Sequence, residues 1–388
     1  MQGGTRSYEM ARRLVERGHQ VTMVTSWREA RDDRGWFVTD EDGIAVHWLP
    51  VPYGNEMSYA QRIQAFFRFA VASARRAATI EADVVFATST PLTIALPGAW
   101  AARRRRRPMV FEVRDLWPEM PIAIGALRNP LAIWAARRLE RFAYRNAARI
   151  VALSPGMAEG VVEAGYPQEQ VSVIPNSCDL DLFSPDSEHG EPFRDAHPEL
   201  GNGPIVLYAG ALGRVNGVDY MAELAAACAE QAPQAQFIVL GSGSEAEVVR
   251  ARATELGVLG RNFHMYPQVA KAEVTSAFAA ASVVCSWVVD IPETEKNSAN
   301  KFFDGLAAGR AIAINHGGWQ ADLLRESDTG LALSRNVTEA AHEIAQWLND
   351  PNRLNSAGQR ARALGEARFA RDALAAELET VLLQAVRA

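Results

Sequence analysis

Only three cysteines occur in 388 residues, Cys178, Cys228 and Cys285, too scattered for a disulfide framework or for the paired spacing of a zinc site. Long apolar runs are missing too. The stretches 69–74 and 283–289 fall far short of the roughly 20 residues that cross a bilayer, so no spanning helix is expected. The opening Met1-Gln2-Gly3-Gly4 lacks the charged-then-apolar layout of a signal peptide, and a reducing cytosol is the expected setting. The seven His are dispersed, and Asp179-Leu180-Asp181 reads as a turn that ends the first half, so no metal is expected. With 48% hydrophobic and 22% charged residues, 28 Gly and 19 Pro, the chain is neither disordered, collagenous nor a coiled coil.

Lysine is absent between positions 59 and 150, where 16 Arg face six acids. The whole chain carries a formal charge of −6, so a basic region is balanced by a strongly acidic remainder. Such asymmetry suggests that one region meets an anionic surface. Within it, the helical pattern 59–78 sets Ile63, Phe66, Phe67, Ala70 and Val71 on one side with Arg62, Arg68, Arg75 and Arg76 around them. Arg103, Arg104, Arg105, Arg106 and Arg107 form a block. A basic amphipathic helix can lie on an anionic bilayer. No nucleic-acid module accompanies these charges.

The length fits two domains. Apolar runs of four to six residues alternate with helical patterns, as parallel strands buried by helices do. Strands are expected at 21–25, 44–49, 84–87, 109–112, 150–153 and 171–174, then at 205–209, 236–240, 263–266, 283–286 and 311–314. Residues 184–204 collect Pro, Gly, His and acids without periodicity and read as a linker. The expectation is an α/β chain of two Rossmann-like, doubly wound parallel-sheet domains, 1–190 and 200–370, facing each other across a cleft. A helix at 371–388 is expected to pack back on the first domain. Gly3-Gly4 looks like the loop after a strand, yet two residues precede it, so the expectation is that a central strand is missing and that the numbered chain begins late.

Bare backbone N–H groups at a helix N-terminus receive phosphate readily. Three glycine turns qualify: Gly3-Gly4, Gly241-Ser242-Gly243 and Gly317-Gly318. Each is also compatible with an ordinary tight turn. Lys301 falls in the first turn of a short helix, where a cation opposes the helix dipole unless an anion is also there. In Glu112-Val113-Arg114-Asp115-Leu116-Trp117-Pro118-Glu119 a strand runs directly into charges, at the end where open α/β sheets bind ligands. Arg214, in another loop after a strand, is a further phosphate candidate. Loop bracing for Arg114 and Asp115, and a plain surface role for Arg214, are the competing readings.

Several stretches together resemble glycosyltransferase family 4, retaining enzymes of the GT-B fold: 17–22 after Gly3-Gly4, 174–179 with Phe183-Ser184-Pro185, Tyr208-Ala209-Gly210 with Gly217-Val218-Asp219, and Leu306-Ala307-Ala308-Gly309 with Gly317-Gly318. The stretches 112–119 and 297–304 look like the branch that builds bacterial O-antigen, capsule and exopolysaccharide. The resemblance implies a nucleotide-sugar donor as substrate with no further cofactor, and a glycan or polyprenyl-diphosphate-linked acceptor. It implies a retained anomeric configuration, with donor phosphate helping to deprotonate the acceptor. The expected donor set is Gly4, Gly210, Arg214, Gly241, Gly243, Met265, Asn300, Lys301, Asp304, Gly317 and Gly318. Arg114, Asp115 and Glu119 are expected on the acceptor side, and Asp115, Arg214 and Lys301 are the expected catalytic groups. The family's Arg and Lys in the first loop of the second domain correspond here to Ala211 and Asn216. Its pair of Glu corresponds to Asp304 and, eight residues earlier, Lys296 beside Glu295. A sugar-nucleotide 2-epimerase, a non-catalytic sugar-nucleotide sensor and a nicotinamide-dependent dehydrogenase are the alternatives.

Overall fold

The computed structural model describes residues 6–27, 33, 35–51, 57, 59–89 and 91–388. Gly3 and Gly4 lie outside them. The chain divides into two compact units, 1–175 with 372–388, and 176–371.

In the first unit, α1 (Arg6–Glu16) leads into β1 (Thr22–Trp27), β2 (Phe37–Glu41) and β3 (Ile44–Pro50). These strands form a sheet in the order β1-β3-β2, with β1 parallel and β2 antiparallel to β3. The β2–β3 hairpin turns at Asp42-Gly43, both at positive φ, the backbone of a tight hairpin turn. Next come α2 (Tyr59–Ala77), β4 (Val85–Thr88), α3 (Ala95–Arg105), β5 (Met109–Val113), α4 (Glu119–Ala123), α5 (Pro130–Asn146), β6 (Arg149–Ala152), α6 (Pro155–Glu163) and β7 (Val171–Val173). Strands β4-β5-β6-β7 make a parallel sheet in chain order. Alternate residues of each strand serve opposite faces. Phe111 and Ile150 pack with Ala99, Tyr144 and Met157, whereas Val110 and Val151 pack with Met10 and with Leu374 and Leu378 near the chain's end.

The second unit begins with α7 (Glu191–Ala196). The segment read as a linker is therefore a structured part of this unit. Phe193 and Leu200 join its core beside Phe183 and Phe278, which their spacing among polar residues hid. Then follow β8 (Ile205–Ala209), α8 (Asp219–Cys228), β9 (Gln236–Leu240), α9 (Ala246–Glu255), β10 (Phe263–Tyr266), α10 (Lys271–Ala280), β11 (Val283–Ser286), α11 (Asn300–Ala307), β12 (Ala311–Ile314), α12 (Trp319–Ser327), β13 (Gly330–Ala332), α13 (Val337–Leu348), α14 (Pro351–Arg368) and α15 (Arg371–Arg387). From Asp372 onward α15 belongs to the first unit. The sheet order is β10-β9-β8-β11-β12-β13, all parallel. On β8, Val206 and Tyr208 enter one core layer and Ile205 and Leu207 the other. The order reverses between β8 and β11, and ligands of doubly wound sheets bind at that switch point, beyond the carboxyl ends of the strands. Two strands escaped the sequence reading: β2, a half-exposed antiparallel edge, and β13, three residues long.

Candidate functional site

The loop ahead of α11 is pinned along its length. Thr294 donates from its hydroxyl to the Ile291 carbonyl at 2.6 Å. Trp319 Nε1 donates to the Asn297 carbonyl at 2.9 Å, and Asn176 Nδ2 to that of Ser298 at 2.5 Å. Phe302, Phe303 and Leu306 then bury one side of the helix completely. This fixes Lys301 in the first turn. Its Nζ stands 4.8 Å from the centre of the Tyr208 ring, a cation–π distance. A Cβ on Gly210 would lie 3.1 Å from Lys301 Cε. The ammonium thus sits at the carboxyl end of β8, beside the switch point. Lys301 is half-buried, and the burial of its charge pushes its pKa down to about 8, against the weaker upward pull of Asp304 one turn on.

The other expected residues distribute along the same carboxyl edge. Gly210 follows β8, Gly241 and Gly243 follow β9, Met265 lies on β10, and Gly317-Gly318 follow β12. Asn300 precedes Lys301 and is exposed, and Asp304 is half-buried. Arg214 opens a short 3-10 turn, 214–216, with an exposed side chain. In that loop the Asn216 side-chain amide donates to the Ala211 carbonyl at 2.8 Å, as the Tyr208 hydroxyl does at 2.7 Å.

Two glycine turns have structural reasons of their own. A Cβ on Gly241 would come within 1.9 Å of the Gly210 carbonyl oxygen, and one on Gly243 within 2.2 Å of that of Leu212. The loops after β8 and β9 thus pack backbone to backbone, tied by Leu212 N–H donating to Ser242 O at 2.9 Å. Gly241→Ala should therefore destabilise the second unit by about 1–3 kcal/mol through overpacking, read as a lowered urea midpoint. An unchanged midpoint with lost ligand binding would make this glycine a phosphate cradle only. Gly318 has φ +78, the left-handed region. A Cβ on Gly317 would lie 3.1 Å from Glu295 Oε1, so a carboxylate rests at the N-terminus of α12, where the helix dipole favours it.

Sequence reading passed over the orphaned polar atoms nearby. Among the described residues, Ser286 Oγ at the end of β11, Trp287 Nε1 beside it, and both amide atoms of Gln320 in the first turn of α12 are buried without a hydrogen-bond partner. An unpaired buried polar group costs about 1–3 kcal/mol, and such groups ask for an explanation. Nothing in a lone Ser or Gln signals this. Asn315 by contrast is fully used, accepting from Val288 N–H at 3.0 Å and donating to its carbonyl at 3.1 Å.

In the first unit, Arg114 and Asp115 follow β5, both half-buried, and Arg114 N–H donates to Ser89 Oγ at 2.9 Å. Glu119 starts α4 and pairs with Arg137 at 3.4 Å. Glu112, at the head of that cluster, is instead a structural acid: it is 1% exposed and receives Arg6 Nε at 2.8 Å and Thr88 Oγ1 at 2.6 Å. Glu140 of α5 is also buried, and burial pushes its pKa up to about 7. Among the described residues no group of three or more His, Cys, Asp or Glu is placed to hold a metal ion. No described helix is long and apolar enough to cross a membrane.

Two α/β units, each containing a parallel sheet flanked by helices, give the GT-B class of glycosyltransferase folds. Sucrose-phosphate synthase from Thermosynechococcus elongatus has the same fold, with a TM-score of 0.78 at 18% identity over 98% of this chain and 94% of that one. So does HepE from Anabaena, solved with UDP and glucose, with a TM-score of 0.70 at 16% identity over 94% and 100%. Residues 3–177 match the family model of the glycosyl transferase 4-like domain and residues 191–364 that of glycosyl transferases group 1, and the chain belongs to the glycosyltransferases that join these two domains. The D-inositol 3-phosphate glycosyltransferase of Nocardiopsis dassonvillei is 29% identical over 60% of this chain and 54% of its own length. The chain spans less than two thirds of the length of the curated relatives it matches.

Proposed function

We propose that the chain is a retaining glycosyltransferase that moves a sugar from a nucleotide-sugar donor to a glycan or a polyprenyl-diphosphate-linked glycan in bacterial surface-polysaccharide synthesis, without a metal ion. The observation that carries this reading is the Lys301 ammonium at the switch point, 4.8 Å from the Tyr208 ring and against Gly210. Lys301 is half-buried, and the Tyr208 ring and Asp304 offset only part of the cost of that burial, since its pKa is still pushed down to about 8; a phosphoryl group would offset the rest. In the transfer, the bond between the anomeric carbon and the diphosphate breaks and a bond to the acceptor oxygen forms on the same face. The acceptor proton passes to the departing phosphate. Negative charge grows on that leaving group, and preorganised cations stabilise it more in the transition state than in the ground state. Lys301 and Arg214 have that role here, while Asp115 orients the acceptor hydroxyl, with Arg114 and Glu119 beside it. The enzyme works in the cytoplasm on the inner face of the membrane, where the exposed Arg68, Arg75, Arg103 and Arg104 meet anionic lipid.

A thermal-shift series with uridine, guanosine and adenosine diphosphates tests the donor reading. One of them at a hundredfold excess over its Kd should stabilise the protein by about 2.7 kcal/mol. Nucleotide sugars would then be offered with and without lipid-linked acceptor. Release of an altered nucleotide sugar without acceptor would identify an epimerase, and indifference to every nucleotide would remove the proposal.

A further inference from the structure

Helix α2 carries two apolar stripes, and one of them packs on no core cluster. Ala65, Phe69 and Ala72 meet Leu49 and Val51 in a small core. Phe67 and Val71 point elsewhere and are 52% and 54% exposed, and Trp100 on α3 is 58% exposed. Together with Ala74, Leu96 and Phe142 they line a groove of about 270 Å³, in which Arg103 is the sole charged residue. Contiguous exposed apolar surface of this kind marks an interaction site. Charge decides which. Neither α2 nor α3 contains an acidic residue. Arg68, Arg75, Arg103 and Arg104 are exposed and pair with no acid among the described residues. Three neighbouring arginines are committed: Arg76 Nε donates to His47 Nδ1 at 2.7 Å, Arg105 to the Ala78 and Thr79 carbonyls, and Arg107 lies 3.7 Å from Asp83. A second copy of this face would bring arginine against arginine, which is repulsive. An anionic bilayer is complementary in both respects, because acyl chains take the aromatic groups and headgroups take the guanidinium groups.

We propose that this groove is the membrane-docking face of the first unit, with Phe67, Val71 and Trp100 entering the acyl layer of an anionic phospholipid bilayer and Arg68, Arg75, Arg103 and Arg104 holding its headgroups. The inference rests on the membrane reading above and locates its insertion point, since arginines alone would hold the protein at the surface without burying any aromatic group.

The test is co-sedimentation of the full chain with vesicles of phosphatidylglycerol and phosphatidylcholine, and with phosphatidylcholine alone, at two salt concentrations. Two variants at exposed positions are compared, Phe67→Ser/Trp100→Ser and Arg103→Gln/Arg104→Gln, after checking that their thermal midpoints match the parent's. The parent should bind the anionic vesicles alone. The aromatic variant should bind about tenfold more weakly, through lost apolar transfer, and keep its salt dependence. The arginine variant should bind more weakly with a shallower salt dependence. Unchanged binding by the aromatic variant would overturn the insertion point and leave the membrane reading standing. No binding by the parent would remove both. A parent dimer dissolved by Phe67→Ser/Trp100→Ser would show that the groove receives a second copy, which also overturns the proposal.

Discussion

Replacing Lys301 by alanine should lower kcat about 10²- to 10³-fold, the cost of losing one preorganised partner for a developing anion, while the variant unfolds at the same or a higher urea concentration than the parent. The two effects have opposite signs for one reason. Partial burial of the ammonium lowers its pKa from 10.5 to about 8, so the charged form costs stability until an anion arrives. Between those two values the unfolded chain binds more protons than the folded one, and stability should rise with pH over that window. Below about 8 both states are protonated and the dependence vanishes. Lys301→Ala should lack the rise. Nucleoside diphosphate binding should run the other way, weakening as pH climbs through about 8 and drawing a proton onto the lysine near that pH. Kinetics with saturating donor, urea midpoints from pH 7 to 10.5 and titration calorimetry in buffers of different ionisation enthalpy measure all three. Full activity in the variant, or a plain loss of stability, would count against the assignment.

Arg6→Met should destabilise the first unit by about 3–5 kcal/mol, since it leaves a buried carboxylate without its cation. Arg6 joins parts of the chain far apart in sequence: its guanidinium donates to Glu112 at 2.8 Å, to the Ile174 carbonyl at 2.8 Å and to the Pro175 carbonyl at 2.5 Å. Removing the acid as well, in Arg6→Met/Glu112→Leu, should recover most of the loss and leave the cost of two unpaired carbonyls. Chemical denaturation of the three proteins separates these contributions. A loss below about 1 kcal/mol for Arg6→Met would place the pair among ordinary surface bridges.

The ion pair also illustrates what a linear reading can and cannot see. Strands buried on both faces announce themselves by composition, and Gln236–Leu240 and Phe263–Tyr266 fall where their apolar runs begin and end. Phe37–Glu41 does not, because an edge strand with Asp40 and Glu41 resembles a loop, although Asp42-Gly43 held a hairpin signal. Residues 184–204 look like a linker until Phe193 and Leu200 are seen in the core. Lys301 was legible because a cation in the first turn of a helix conflicts with elementary electrostatics. Gly241 and Gly243 were visible as glycines, but the closeness of the Gly210–Leu212 backbone that requires them is a property of three dimensions. Glu112 looked no different from Asp115 nearby. Its partner lies 106 positions away, beyond the reach of any local pattern.

The first unit is assembled from stretches on either side of the second, with Leu374, Ala375, Leu378 and Val381 of α15 closing the layer that contains Met10, Val110, Val151 and Ile174. On the ribosome this inverts the usual sequence of events, in which the domain nearest the N-terminus matures first. Domains fold as units, so the uninterrupted stretch 176–371 is expected to reach its native state while the earlier-made portion still lacks the α15 side chains that complete the layer around Met10, Val110 and Val151. Transiently exposed apolar surface of this kind invites aggregation, and the packing of α15 removes it.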